Sequence, residues 1–426
     1  MGLGDGQSLP GRVALRLDPS LITRLTSNMV VVLVSGTNGK TTTTALVAAG
    51  LREAGGTITN SGGANMTGGL ASSLAEATPD IAETRFAALE VDEIYLTAVA
   101  EMVAPAVFVL MNLSRDQLDR TSEVRRIAER WRLLVDEMPL TKVVANCDDP
   151  LVCYAASASE SVIWVAAGIS WTDDAIGCPV CGGEIVFSSG SWACGCGFCR
   201  PEPSWKLGAD QTIEFPDGRI KVNPRLPGSF NLRNSLTALA ACQAAGVPPS
   251  TAVTGVEAVS AVSGRFARYQ IGSGTDAEVM LSLAKNPAGW SELVGMVDLI
   301  AADSALVIGL NAKIADGRDP SWIWDVPFDV FSGRSVIVTG ERCLDLAVRL
   351  KYAGVDPLVV QDVYSALVVA SKWSKQVVLL ANYTCFQEAR KALESPLAAR
   401  HGGSARVVHL VGELRRWRNL SRTNGS

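Results

Sequence analysis

The feature that most constrains this chain is an apolar run, Met29-Val-Val-Val-Leu-Val-Ser35, that leads directly into Gly36-Thr-Asn-Gly-Lys-Thr-Thr-Thr43. A β-branched run without alternation has no polar face to offer to water. It reads as a strand buried on both sides, as parallel sheets require. The turn that follows has the composition of a phosphate cradle. Gly36 and Gly39 let backbone N–H groups approach phosphate oxygens, and the helix opening at Lys40 adds its dipole. Thr37, Asn38 and Thr42 complete the turn. Lys40 is placed to reach the β- and γ-phosphates, and the Thr41 hydroxyl to ligate Mg²⁺. Val34 stands where the full phosphate-loop pattern has its first Gly. The reading is an ATP site.

The rest of the chain fits that start. Strands are expected at 86–90, 106–111, 142–145 and 162–166, with helical stretches such as 123–137 between them. This alternation builds a mostly parallel sheet covered by helices. The pattern breaks over 171–205, a Gly-, Ser-, Trp- and Cys-rich insertion. Short strands follow at 212–215 and 219–222, then an Ala-rich helix at 235–245. A second alternating pattern begins near 265, with strands at 305–310, 335–339, 357–360 and 376–381. It carries no G-x-G-x-x-G fingerprint, so a Rossmann-like sheet without a dinucleotide site is expected. The expected fold is α/β. A central phosphate-loop ATPase domain spans 1–264 with the insertion at 171–205, and a C-terminal Rossmann-like domain spans 265–426.

Composition excludes several classes. Hydrophobic residues make up 48% and charged residues 19%, the balance of a globular chain. A net charge of −5 argues against a nucleic-acid binder. No apolar run approaches the roughly 18 residues of a membrane span, and no secretory signal opens the chain, so a cytoplasmic protein is expected. The only histidines are His401 and His409. Neither sits in a recognisable motif, which argues against a self-contained Ser-His-Asp or Cys-His unit.

Four further clusters carry chemistry. Glu90, in Leu89-Glu-Val-Asp-Glu93, ends a strand where doubly wound sheets place their ligands, and is a candidate second Mg²⁺ contact. The competing reading is a surface acid. Asn112-Leu-Ser-Arg-Asp-Gln-Leu-Asp-Arg120 offers Arg115, Asp116 and Asp119 to metal and phosphate, or is simply a polar helix start. Cys178-Pro-Val-Cys181 and Cys194-Gly-Cys196-Gly-Phe-Cys199 make a thiolate set for a closed structural Zn²⁺ site, with five cysteines for four places. Asp316, Asp319 and Asp325 crowd the segment Asn311–Asp325 with an Arg and two Trp.

Together these residues resemble the Mur ligase family, over nearly the whole chain from about residue 20. Gly36-Thr-Asn-Gly-Lys-Thr-Thr is similar to that family's ATP loop. Phe230-Asn-Leu-Arg-Asn-Ser-Leu-Thr-Ala-Leu-Ala-Ala is similar to its F-N-x-x-N helix, which implies that Asn231 and Asn234 meet the adenine side of ATP. Gly264-Arg265-Phe266 resembles the turn between the family's central and C-terminal domains and adds Arg265 to the ATP contacts. Ala267 stands where that turn carries an acid. The early position of the loop implies that the family's UDP-binding domain is missing. The Cys-rich insertion, Leu283-Ala-Lys-Asn-Pro-Ala-Gly289 and Ala315-Asp-Gly-Arg-Asp-Pro-Ser-Trp-Ile-Trp-Asp325 resemble the branch of the family that amidates rather than adds an amino acid.

That resemblance implies an ATP-dependent carbon–nitrogen ligase of peptidoglycan synthesis. Its substrate would be the D-glutamate α-carboxylate of the lipid II stem peptide. Its cofactors would be ATP, Mg²⁺ and a structural Zn²⁺ on Cys178, Cys181, Cys194 and Cys196, with Cys199 as the alternative. A GatD-type glutaminase subunit would supply ammonia. Lys40 and Glu90 would act at the phosphoryl group, and Asp316 would complete the partner's Cys-His pair. The competing expectations are a Mur- or folylpolyglutamate-type amino-acid ligase and a nucleotide-sensing zinc-ribbon scaffold.

Overall fold

The computed structural model describes residues 8–394 apart from 61–63, 78–83, 116–122, 170, 227, 263–264, 272–276 and 301–302. The chain divides into two units, Met1–Ser263 and Gly264–Ser426. Asp116, Asp119, His401 and His409 lie outside the described residues.

The first unit is built on six strands: β1 (Val30–Ser35), β2 (Gly56–Thr59), β3 (Thr84–Glu90), β4 (Val107–Leu110), β5 (Lys142–Asn146) and β6 (Val162–Val165). Their order is β2-β3-β1-β4-β5-β6, and every pair is parallel. The strand that feeds the glycine loop is therefore central. Val31 to Val34 are fully buried, as an unalternating β-branched run demands. Helices close both faces. Glu123–Glu137 shows how: Val124, Ala128, Trp131, Leu134 and Val135 recur at helical spacing and are buried, while Arg125, Arg126 and Arg130 are exposed. The Ala-rich helix starts at Ser229, six residues before its expected start, and runs to Ala244. Its first turns therefore carry Asn231 and Asn234.

The insertion leaves the sheet after β6 and returns to it. Its core is an antiparallel hairpin, β7 (Ile185–Ser188) with β8 (Ser191–Cys194). On its exit, Trp205 lies parallel to Val165, and Ala166 N donates to Trp205 O at 2.8 Å. The insertion thus covers the outer edge of β6. A small antiparallel sheet follows, β9 (Lys206–Leu207), β10 (Thr212–Phe215) and β11 (Gly218–Lys221), with β10 in the middle.

The second unit has its own six-stranded sheet. Its strands are β12 (Phe266–Ile271), β13 (Ala277–Leu283), β14 (Ala305–Gly309), β15 (Val336–Thr339), β16 (Leu358–Val359) and β17 (Gln376–Ala381). The order is β12-β13-β17-β14-β15-β16, parallel except for β12 with β13. Its core gathers Val279, Leu281, Val307, Ile337, Leu379 and Phe386. Sequence reading misses β2, the insertion strands β7 and β8, the short β9, and β12 and β13. β12 sits at the sheet edge and alternates, with Phe266 and Ile271 buried and the residues between them partly or fully exposed. No helix among the described residues is long and apolar enough to cross a membrane.

Candidate functional site

The glycine loop joins β1 to the helix Lys40–Arg52 at the carboxyl edge of the first sheet. Gly39 is the helix N-cap at φ +81°, in the left-handed region that favours glycine. A Cβ there would lie 2.8 Å from Met111 Cε and 3.1 Å from Asn234 Oδ1. The same distance shows that the Asn-x-x-Asn helix lies against the loop. Asn234 Nδ2 donates to Asn231 Oδ1 at 3.3 Å, and both side chains are buried.

The loop is braced by the segment that follows β4. Thr37 N donates to Asn112 O at 2.8 Å. Asn38 N donates to Asn112 Oδ1 at 2.8 Å, and Asn112 Nδ2 returns a bond to Asn38 O at 3.0 Å. Ser114 N donates to Thr37 Oγ1, which donates in turn to Ser114 O, each at 3.0 Å. These bonds fix the loop's shape from outside it.

Lys40 is buried, at 7% exposure. Its ammonium donates to Gly36 O, to Thr37 O at 3.2 Å and to Glu93 Oε2 at 2.9 Å. Burial pulls its pKa down, but the Glu93, Glu90 and Asp92 carboxylates together outweigh that, and it rests above the ordinary lysine value. Trp131 Nε1 anchors Glu93 through its carbonyl, at 3.1 Å. Glu90 ends β3 opposite Val34 and is 2% exposed. Asn60 fixes its backbone, accepting from Glu90 N at 2.7 Å and donating to Glu90 O at 2.9 Å. Asn65 Nδ2 reaches its Oε1 at 3.5 Å. The structure thus gathers Gly36 to Thr42, Glu90, Asn231 and Asn234 in one unit, whereas Arg265 opens the other. Hard oxygen donors on Thr41 and Glu90, beside a phosphate loop, fit a Mg²⁺ ion.

Arg115 is not free for phosphate. It forms an ion pair with Asp174, and its backbone N donates to Asp174 Oδ2 at 2.9 Å. Sequence reading also misses Asp149, which is wholly buried. Its Oδ1 caps the helix Pro150–Ala156 by accepting from Leu151 N at 2.8 Å and Val152 N at 3.2 Å, and its Oδ2 accepts from Leu113 N at 2.8 Å. Burial pushes its pKa up to about 6, against the pull of those three N–H groups. An Asp directly before Pro is a helix-start signal that marks it in the sequence.

In the insertion, the sulfurs of Cys178, Cys181, Cys194 and Cys196 all lie within 4.8 Å of one another. The Cys178–Cys196 and Cys181–Cys194 pairs are 3.8 and 3.5 Å apart. A tetrahedral Zn²⁺ at ~2.3 Å from each thiolate needs sulfurs about 3.8 Å apart, so the set fits the ion. Cys199 is outside that group. Around it, Trp192 Nε1 donates to Cys147 O at 3.0 Å, and Arg200 pairs with Asp148 at 2.6 Å.

In the second unit, Asp316 closes a short 3-10 turn after β14. Its Oδ1 accepts from Thr384 N at 2.8 Å and its Oδ2 from Thr384 Oγ1 at 2.5 Å and Lys313 N at 3.2 Å. Burial raises its pKa above the ordinary value, and the Thr384 and Lys313 bonds oppose that. Asn311 ties the neighbouring strand ends together. Its N donates to Asn382 Oδ1 at 3.0 Å, and its Oδ1 accepts from Glu341 N at 2.8 Å. Asp319 only caps the next turn through Ser321 N, and Asp325 is exposed at its end.

A parallel sheet with this loop at its centre, an Asn-x-x-Asn helix laid on the loop and a second Rossmann-like unit define a chain of the Mur ligase type. The Mur ligase middle domain profile matches residues 34–242, and the MurT ligase C-terminal profile matches 283–386. Among solved structures, a pseudomurein peptide ligase type C from Methanothermus fervidus aligns with a TM-score of 0.64 at 18% identity, covering 92% of this chain and 85% of that one. MurF from Acinetobacter baumannii aligns at 0.63 and 17%, covering 90% and 81%. These likenesses establish the fold. The chain is also 30% identical over 403 residues to the lipid II isoglutaminyl synthase subunit MurT of Staphylococcus aureus, covering 89% of this chain and 91% of the relative. The MurT of Streptococcus pneumoniae is 30% identical over 423 residues, covering 92% and 93%. The chain belongs to the MurT family.

Proposed function

We propose that the chain is the synthase subunit of a glutamine-hydrolysing lipid II isoglutaminyl synthase. The observation that carries this reading is the 30% identity to MurT subunits along about nine-tenths of both chains. The buried loop, Lys40 and Glu90 support ATP as the phosphoryl donor. A carboxylate oxygen of the stem-peptide D-glutamate attacks the γ-phosphorus, the bond to the β-phosphate oxygen breaks, and ADP leaves. Ammonia then attacks the acyl carbon, phosphate departs, and the nitrogen loses a proton to give the amide.

The residues divide this work. Loop N–H groups and Lys40 stabilise charge on the transferring group, with Lys40 exchanging Glu93 for phosphate oxygens. Asn231 and Asn234 lie on the nucleotide side. Mg²⁺, held by Thr41 and Glu90, would neutralise phosphate charge. The four-cysteine set would hold Zn²⁺ as a closed structural site, with no open position for substrate. By its likeness to the family's Gly-Arg turn, Arg265 would be a further ATP contact. Ammonia would come from a GatD-type glutaminase, with Asp316, oriented by Thr384, completing its Cys-His pair. The substrate is membrane-associated, and the reaction lies on the cytoplasmic side.

The test is to mix the chain with ATP, Mg²⁺ and lipid II, with and without the glutaminase, and follow lipid II by mass spectrometry. Conversion of the carboxylate to the amide with glutamine only when the glutaminase is present is expected. Incorporation of an amino acid by the chain alone would favour the amino-acid ligase. ATP binding with no product from any nitrogen source would leave only a nucleotide-sensing scaffold.

A further inference from the structure

The segment Asn112–Arg115, just past β4, has two differently engaged sides. Asn112 and Ser114 bond the phosphate loop at Thr37 and Asn38, between 2.8 and 3.0 Å. Leu113 and Arg115 bond two carboxylates instead. Leu113 N donates to Asp149 Oδ2 at 2.8 Å, and Arg115 N to Asp174 Oδ2 at 2.9 Å. Asp174 also pairs with the Arg115 guanidinium and accepts from Trp171 Nε1 at 2.9 Å.

Both carboxylates lead to the insertion. Asp174 sits in the 3-10 turn Asp173–Ala175, four residues before Cys178. Asp149 follows Cys147 and Asp148, the two residues that the insertion grips through Trp192 and Arg200. The metal-binding module therefore holds the back of a strip whose front shapes the ATP loop.

We infer that Asp149 and Asp174 are positioning residues for ATP, acting through Asn112–Arg115, and that the Cys-rich insertion serves the nucleotide site by holding this strip. The inference rests on the ATP-dependent reading of the loop. The two carboxylates bond Leu113 and Arg115, not the loop itself. Their loss lets the strip relax, and Thr37 and Asn38 then lose the frame that aims their N–H groups.

The test uses the full chain with its glutaminase partner. The dissociation constant of a fluorescent ATP analogue is measured beside steady-state KM and kcat. Asp149→Ser keeps a good helix cap and removes the bond to Leu113. Asp174→Ala removes the hold on Arg115. Asp173→Ala, an exposed neighbour with the same charge change, is the control. Each positioning variant should raise the dissociation constant and the KM for ATP about tenfold, equivalent to ~1.4 kcal/mol, with kcat little changed. The double variant should fall short of the product of the two, because both act on one strip. The control should match wild type. Unchanged ATP binding in Asp174→Ala and Asp149→Ser, with wild type binding normally, overturns the inference and leaves the function intact. Should Asp149→Ser misfold, Asp174→Ala alone decides the outcome. Failure of the wild-type complex to bind the analogue overturns both.

Discussion

Replacing Gly39 with Ala tests the loop in isolation from its charges. Gly39 holds φ +81°, and an L-residue there costs ~1–2 kcal/mol. The added methyl would also stand 2.8 Å from Met111 Cε and 3.1 Å from Asn234 Oδ1. Met111 Cε is the end of a flexible chain and moves cheaply. Asn234 is buried and bonded to Asn231, so it yields only by disturbing that pair. Gly246 is the matched control. Its φ is +91° in the same unit, and nothing lies within 4 Å of its Cβ position. Both Ala variants should lose stability by the backbone cost, and Gly39→Ala somewhat more through Asn234, lowering the melting temperature by roughly 2–4 °C per kcal/mol for a unit of this size. Only Gly39→Ala should also lose ATP affinity, by about tenfold or more if ~1.4 kcal/mol of the disturbance reaches the nucleotide. Differential scanning fluorimetry and titration of an ATP analogue read the two effects separately. Equal ATP affinity in the two variants would refute the placement of Asn234 and the loop turn in the nucleotide site.

Lys40→Met should abolish ATP turnover and destabilise the unit by ~3–5 kcal/mol in denaturant melts, because it leaves Glu93 and Glu90 buried without their cation. Adding Glu93→Gln should recover part of that stability and none of the turnover. Asp316→Asn should remove glutamine-dependent amidation while ammonium-dependent amidation persists; loss of both in the same assay would place Asp316 elsewhere. Chelation, or Cys181→Ser, should release one Zn²⁺ per chain by elemental analysis and increase protease cleavage within 171–205. Asp149 carries a pH signature. Its folded pKa of about 6 lies above the ordinary carboxyl value of 3.8. Its contribution to stability is therefore full below the unfolded value and lost as pH rises through about 6. Urea melts between pH 4 and 7 should show this downward component in wild type and not in Asp149→Asn.

Much of the site is local in sequence and was legible there. The β1 run, the glycines and Lys40 announce a phosphate loop because strand, turn and helix start are contiguous. Glu90 was legible as an acid ending a strand. The cysteine spacing announced a metal set, and only the fold separates Cys199 from the four sulfurs that meet. What sequence could not supply is what sets the loop's shape. Asn112 and Ser114 meet Asn38 and Thr37 across more than seventy residues, and Asp149 meets Leu113 across thirty-six. Arg115 looked like a phosphate ligand because its partner, Asp174, is remote in sequence and carries no motif. The same holds for β13, whose parallel partner β17 is remote in sequence.

The path of the insertion back along β6 has a consequence for handling the protein. An uncovered strand at the rim of a parallel sheet offers free N–H and C=O groups to any passing chain, and natural proteins blunt such rims. Here Trp205 and the residues before it do that, laid along Val165 and Ala166. Deleting 171–205 to make a smaller enzyme would remove the four-cysteine cluster and also bare that rim. Truncated protein should then be recovered in inclusion bodies or as soluble oligomers, unless a charged or proline-bearing segment is put in its place.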